Sequence, residues 1–79
     1  MKLTEEEIED LQLEADELLE QGNLEETESF YEEALNLYRQ ALTIYQQIDH
    51  TIGVIQAHLN IGSVYKLSLI HISEPTRPY

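Results

Sequence analysis

The histidines are the residues of this chain best suited to metal binding or proton transfer. His50 follows Asp49 in a segment typical of a turn, His58 lies within an apolar stretch, and His71 lies near the carboxyl end. A zinc site on a helix commonly uses two histidines one turn apart, as in His-x3-His, and the sequence contains no His-x3-His pair and no cysteine. We therefore predict no metal and no cofactor, and interpret the histidines as ordinary exposed side chains.

Nucleophilic catalysis has as little support. Ser29 and Ser63 fall in segments with helical periodicity, without a histidine base or a glycine-rich elbow to activate them. Three glycines are too few for a phosphate-binding loop. Pairs of carboxylates such as Glu5 and Glu9 are common because the whole chain is acidic, so no single pair indicates acid–base chemistry. The sequence predicts that the protein is not an enzyme.

The charge of the chain is concentrated in its first half. The formal net charge is −12, and all of the sixteen acidic residues except Asp49 and Glu74 lie between Glu5 and Glu33. Phosphate backbones would be repelled, so we expect no nucleic-acid partner. A basic peptide would be attracted. The alternative is a solvated helix face that only keeps the protein soluble.

Membranes are not an expected partner either. No run of the sequence reaches the roughly 18 apolar residues of a membrane span. The amino-terminal residues lack the basic head and apolar body of a signal peptide. These features favour a cytoplasmic location.

A seven-residue phrase that occurs twice dominates the centre of the chain. YEEALNL begins at Tyr31 and YRQALTI begins at Tyr38, and a third copy begins at Tyr45 and decays. Seven residues are close to two helical turns, so the repeat drifts by only ~20° and keeps one face apolar. The phrase predicts one long helix from Leu24 to Ile48 with a stripe of Tyr, Ala and Leu.

A first helix precedes the repeated phrase. Thr4 and Glu7 form the pattern of a capping box at its start. Gly22 is predicted to end it, because glycine adopts the left-handed conformation without penalty. Asn23 and Glu26 would then form a second capping box at the start of the next helix. The apolar stripe of the first helix contains Ile8, Leu11, Ala15, Leu18 and Leu19.

A third helix is expected after a cap at Asp49 or Thr51. Its predicted buried face consists of Ile55, Leu59, Gly62 and Tyr65, widened by Ile61 and Val64. The chain as a whole is therefore predicted to be all-α, with an antiparallel helix hairpin and a third helix. The predicted core contains Leu11, Ala15, Leu18, Tyr31, Ala34, Tyr38, Ala41, Tyr45, Leu59 and Gly62.

The helical pattern is lost from Leu67 onward, and Pro75 and Pro78 exclude a helix at the end. The segment resembles a peptide that recurs at the ends of unrelated translated metagenomic reads, where adapter bases are read as codons. This divides the chain into a helical domain, residues 1–66, and an artefactual or disordered tail, residues 67–79. The alternative is a genuine short strand or extended tail.

The spacing of small and aromatic residues resembles that of a tetratricopeptide repeat. This family has a small residue in the first helix, a glycine at the turn, and an aromatic residue three positions before an alanine in the second helix. Ala15, Gly22, Tyr31 and Ala34 match that order, and the segment around Gly62 is similar to the start of a following repeat. The resemblance covers about residues 11–66. It implies an α-solenoid fragment, here with an extended second helix, that acts as a protein-interaction scaffold.

The same resemblance implies a groove that binds an extended or amphipathic peptide, and its acidic side suits a basic one. The groove positions are Glu9, Gln12, Asp16, Leu19 and Glu20 on the first helix and Gln56, Leu59, Ser63 and Lys66 on the third. The alternative function is structural. An acidic hairpin would then self-associate as a coiled coil through the Tyr/Ala heptads of its second helix.

Overall fold

The computed structural model describes the backbone of residues 2–73 and the side chains of residues 2–69. Over this range the chain forms three α-helices and no strand: α1 (Glu5–Thr27), α2 (Tyr31–Gln47) and α3 (Thr51–Ser73). α2 packs against both of the others. The predicted all-helical class is confirmed. Residues 74–79, which include Pro75 and Pro78, lie outside the described part of the chain.

The start of α1 is the predicted capping box. The Thr4 hydroxyl accepts a hydrogen bond from the backbone N–H of Glu7 (3.1 Å), and the Glu7 carboxylate accepts one from the N–H of Thr4 (2.9 Å). Both bonds satisfy N–H groups that have no partner within the helix. The acidic residues of the first turn also lie at the positive end of the helix dipole.

The predicted end of α1 at Gly22 is wrong. Gly22 is helical and buried, and α1 continues to Thr27. Gly22 is needed for a close approach instead, because a Cβ at this position would lie only 2.7 Å from Cδ1 of the Tyr38 ring. Consequently Asn23 does not cap α2, and the single long helix predicted from Leu24 to Ile48 is divided. α2 is shorter than α1.

The two turns between helices have the same geometry. Each contains one non-glycine residue in the left-handed conformation, Ser29 (φ 70°) in the first turn and Asp49 (φ 57°) in the second. In each turn the following residue donates its N–H to the carbonyl five positions earlier, at 2.8 Å and 2.9 Å respectively. This is the Schellman motif, which satisfies carbonyls at a helix end. Each turn is short, and each reverses the chain.

The heptads of α2 lie in the core, as predicted. Ala34, Tyr38, Ala41 and Tyr45 are buried. Two clusters form around them. One contains Ala15, Ala41, Tyr45 and Ala57, and the other contains Ala34, Tyr38 and Val64. The first cluster holds one alanine from each helix, because helices that cross at 8–10 Å leave room for small side chains at the contact.

Most of the predicted core is confirmed, and on α3 the edge of the predicted face, at Ile61 and Val64, is confirmed while its centre is exposed. The predicted residues of α1 and α2 are buried or half-buried, whereas Leu59 is 64 % exposed and Gly62 has no neighbour within 4 Å of an added Cβ. α3 packs on α2 through Val64, which belongs to the predicted face, and through Gly53 and Ala57, which do not. Apolar residues occur on both sides of α3, so its sequence pattern does not select the buried side.

The carboxyl-terminal part of α3 also departs from expectation. The helix continues through Ser73, past Lys66, where the predicted helical pattern ends. Whether residues 67–79 are foreign to the protein stays a prediction. Among the described helices, none combines the length and the apolar character required to cross a bilayer.

Candidate functional site

The predicted groove residues of α1 have two different environments. Glu9, Asp16 and Glu20 are exposed, whereas Gln12 and Leu19 are half-buried. Leu19 packs against both core clusters. It therefore belongs to the core, and the part of the predicted groove that remains on the surface of α1 is acidic.

Asp16 is held by a tyrosine. The hydroxyl of Tyr45 on α2 donates a hydrogen bond to the Asp16 carboxylate. The ring of the same tyrosine lies against Gly53 of α3. Burial raises the pKa of Tyr45, and the hydrogen bond and negative charge of Asp16 raise it further. The hydroxyl therefore stays protonated near neutral pH, and the pair is a structural tether between helices.

A second carboxylate joins all three helices. Oε1 of Glu26 accepts a hydrogen bond from the Tyr38 hydroxyl (2.7 Å), and Oε2 accepts one from the Ser63 hydroxyl of α3 (3.0 Å). The Asn23 side-chain oxygen lies 2.8 Å from the same tyrosine oxygen, so the single proton of the hydroxyl is shared between two acceptors. Burial, followed by the hydrogen bond and charge of Glu26, raises the pKa of Tyr38.

The sequence pattern alone does not indicate this network. Asn23 and Glu26 were interpreted as a cap of α2 because they follow Gly22. The spacing of Gly22 and Glu26 could have indicated one part of it, because two residues four positions apart lie on one face of a continuous helix. The hydroxyl of Ser63 bonds Glu26, so Ser63 lies on the α1 side of α3; its place in a peptide groove stays a prediction.

The remaining predicted groove residues of α3 are Gln56, Leu59 and Lys66, and all three are exposed. The Gln56 amide donates to Asn60 on the same helix (3.3 Å). Leu59 and Lys66 are exposed and, seven residues apart, lie on the stripe opposite the residues that contact α2. The structure therefore places Ser63 beside α1 and leaves Leu59 on the outer side of α3.

His50 has a definite role in the fold. Its Nδ1 accepts a hydrogen bond from the N–H of Gly53 (2.8 Å), so His50 is the N-cap of α3. Its ring also lies 5.2 Å from the ring of Tyr45, centroid to centroid. The prediction that Asp49 or Thr51 caps this helix is wrong, and so is the interpretation of His50 as an ordinary exposed side chain. His58 is exposed, and the side chain of His71 lies outside the described residues.

Leucines and carboxylates alternate on the outer surface of α1. Leu13 and Leu24 are 63 % and 62 % exposed. A shallow depression is lined by residues of both kinds: Glu14, Glu17, Leu18, Glu20, Gln21 and Leu24. We call these six residues the acidic depression. Its carboxylates attract cations and its leucines offer apolar contact, which is the combination that a basic amphipathic helix or strand requires.

The described residues were also compared with the requirements of a metal site. No group of three or more His, Asp or Glu side chains converges there in an arrangement that could hold a metal ion. The comparisons with known proteins add no identification, because no protein-family model, no curated protein and no solved structure matches this chain.

Proposed function

We propose that this chain is a protein-interaction module that binds a basic, amphipathic peptide on the acidic surface of α1. The observation that carries the proposal is the acidic depression, in which three exposed carboxylates surround Leu18 and Leu24. Opposite charge would speed the encounter, and the leucines would supply apolar area once the peptide is seated.

The proposed architecture is a fragment of a tetratricopeptide-like α-solenoid. Two observations support it. Consecutive helices pack side by side, and Ala15 and Ala34, the small residues of the resemblance, are fully buried. Two observations count against it, since Gly22 lies inside a helix and Gly62 is exposed. The proposal includes a cytoplasmic location, no enzymatic activity, and no nucleic-acid or membrane partner, all of which rest on the charge and motif arguments from the sequence.

The alternative function, self-association through the Tyr/Ala heptads, would need these residues on the surface of the protein. Tyr38, Tyr45, Ala34 and Ala41 are buried between α1 and α3. A coiled coil through these residues would require the three helices to separate. We therefore do not propose it.

The proposal is tested with a synthetic peptide that carries lysines on one helical face and leucines on the other. We expect binding in the micromolar range or weaker, measured by calorimetry on the full chain. Affinity should fall between about 0.1 M and about 1 M salt, as the Debye length shortens from ~10 Å to ~3 Å. A peptide with glutamates in place of the lysines serves as the ligand control.

Charge reversal locates the site. The double variant Glu14→Lys/Glu17→Lys should weaken binding about tenfold or more, a loss of about 1.4 kcal/mol. The matched control is Glu28→Lys/Glu32→Lys, which changes the net charge equally at exposed residues outside the depression. Asp16 is left unchanged because it bonds Tyr45. Equal losses in the two double variants would show that only net charge matters, and the acidic depression would not be a site. A larger loss with Glu9→Lys would favour the predicted groove instead.

A further inference from the structure

The outer side of α3 is a row of exposed apolar residues. Ile52 is 75 % exposed, Ile55 is 54 % exposed, and Leu59 and Leu69 are each 64 % exposed. Gly62 and Lys66 lie between Leu59 and Leu69 and complete the row. The six residues follow alternating spacings of three and four, which keeps them on one stripe of the helix. We call it the α3 seam; its members are Ile52, Ile55, Leu59, Gly62, Lys66 and Leu69. At 1.5 Å per residue it extends over about 26 Å of helix.

The distribution of charge indicates what can cover this seam. No acidic residue occurs between Asp49 and Glu74, and Lys66 is the only formally charged residue in that interval. The surface of α1 carries most of the carboxylates, so a second copy that approached through α1 would meet strong repulsion between like charges. The α3 seam is the surface on which two copies can meet with their acidic helices held apart.

The sequence of the seam is complementary to itself when one copy is reversed. In an antiparallel coiled coil, each a position of one helix lies opposite a d position of the other. Placing Leu59 opposite Gly62 of a second copy also places Ile55 opposite Lys66 and Ile52 opposite Leu69. An added Cβ at Gly62 would meet no atom within 4 Å, so the glycine offers space for the leucine of the other copy.

The pairing has two-fold symmetry, so each favourable contact occurs twice. The Leu59–Gly62 contacts lie at the centre, within the predicted helical domain of residues 1–66, and the Ile52–Leu69 contacts, which involve the predicted tail, lie at the two ends. The aliphatic part of Lys66 can cover Ile55 while its ammonium group reaches water at the edge. In this register each of Ile52, Ile55 and Leu59 therefore packs against apolar atoms or open space of the other copy.

We propose that two copies of this chain associate through the α3 seam as an antiparallel pair, with Leu59 of each copy packed on Gly62 of the other. This surface is separate from the acidic depression on α1, so pairing and peptide binding do not depend on each other. The heptads of α2 take no part and remain in the core of each copy.

Sedimentation equilibrium of the full chain tests the pairing. The expected result is a concentration-dependent dimer that becomes tighter between about 0.1 M and about 1 M salt, because screening weakens the repulsion between two acidic molecules. This salt dependence is opposite in sign to that expected for peptide binding. A strict monomer up to about 1 mM, the concentration that corresponds to only about −4 kcal/mol, would overturn the proposal.

Variants test which surface is used. Leu59→Glu should raise the dissociation constant about tenfold or more, because the two new carboxylates lie near the two-fold axis. Leu13→Glu is the control, since Leu13 is equally exposed (63 %) but lies on α1. Circular dichroism should show unchanged helicity in both. If Leu13→Glu weakens the dimer as much as Leu59→Glu does, the α3 seam is not the interface.

Cysteine cross-linking tests the register. The chain has no cysteine of its own, so single cysteines report only on the new positions. Oxidation of a mixture of Leu59→Cys and Gly62→Cys chains of different mass should give the mixed disulfide dimer. Formation of the Leu59→Cys homodimer in its place would indicate parallel helices, which contradicts the proposed pairing.

Discussion

At the α1–α2 junction the ring of Tyr38 lies against Gly22, and at the α2–α3 junction the ring of Tyr45 lies against Gly53. Both tyrosines are first residues of the same repeated phrase, and the hydroxyl of each donates a hydrogen bond to a carboxylate of α1. They differ in what they connect. The ring of Tyr38 lies against α1 and its hydroxyl also bonds α1. The ring of Tyr45 lies against α3, whereas its hydroxyl bonds α1.

The difference shows what the duplicated heptad contributes. One copy of the phrase provides a tyrosine contact for α1, and the next copy, two turns further on, provides one for α3. α2 can therefore be sandwiched between two helices although its buried stripe is a simple repeat. The sequence predicts two equivalent tyrosines, and the fold gives them different neighbours.

The largest expected effect comes from filling the two glycine contacts. Gly22→Ala should destabilise the fold by about 3 kcal/mol, because the added Cβ would overlap a buried ring that is fixed at its hydroxyl. Gly53→Ala should cost less, since Gly53 is in the first turn of α3, which can fray. Urea unfolding followed by circular dichroism measures both.

Gly62→Ala is the control for this pair. Gly62 is helical and exposed, with open space at its Cβ position. Alanine should therefore stabilise the monomer by up to about 1 kcal/mol through helix propensity. If all three glycine variants behave alike, backbone propensity accounts for the data and the ring contacts do not matter.

The two hydroxyls can be removed one at a time. Tyr38→Phe and Tyr45→Phe should each cost about 2 kcal/mol, the range for hydrogen bonds to charged groups. The loss should be larger for Tyr38, because Glu26 is half-buried while Asp16 is exposed and can be solvated again. Combining each variant with Glu26→Gln or Asp16→Asn gives a double-mutant cycle for each junction. A coupling of zero at either junction would show that its hydrogen bond adds no stability.

Both tyrosines should also make the fold sensitive to alkali. Their pKa values are raised above the ordinary value of about 10. Above that pH the unfolded chain loses protons that the folded chain keeps, so stability is complete below about pH 10 and falls as the pH rises further. The expected slope is about 1.4 kcal/mol per pH unit for each tyrosine.

Urea unfolding at several pH values between about 9 and about 12 measures this slope. In a Tyr31→Phe/Tyr65→Phe/Tyr79→Phe background, in which Tyr38 and Tyr45 are the tyrosines that remain, absorbance of tyrosinate should appear together with the loss of helicity. Each Tyr→Phe variant should have a shallower slope than the unmodified chain. Tyrosinate that forms while the helices remain intact would contradict the assigned environments.

The smallest expected effect is at the two turns, which differ in sequence but not in geometry. Ser29→Gly and Asp49→Gly should each raise stability by less than about 1 kcal/mol, because glycine adopts positive φ without strain. Glu28→Gly is a control at the neighbouring position, where φ is −90°, and it should not stabilise. A loss of stability at Ser29 or Asp49 would mean that the native side chain forms a compensating contact.

The sequence was most informative where one local pattern has one physical outcome. The capping box at Thr4 and Glu7 and the heptads from Tyr31 to Tyr45 were predicted and found, because both depend on short-range spacing. The end of α1 was predicted wrongly at Gly22. A glycine can end a helix or admit a neighbouring ring, and the local sequence is the same in both cases.

The candidate site was predicted less well than the fold. The acidity of α1 follows directly from composition, but Leu19 was assigned to a groove and lies against the core. Glu26 and Asn23 were assigned to a cap and bond Tyr38. These contacts join residues at least twelve positions apart, and no periodicity within one helix specifies them.

The sequence alone therefore determined that the chain forms helices, where α1 starts, which side of α2 is buried, and that the first half is acidic, because propensity, capping and charge are local properties. The tertiary structure decided which side of α3 packs inward, since both sides carry apolar residues and only the fit of Gly53, Ala57 and Val64 against α2 distinguishes them. It also decided that the tyrosine hydroxyls bond Asp16 and Glu26, because a buried hydroxyl needs a partner and only the folded chain brings those carboxylates within reach.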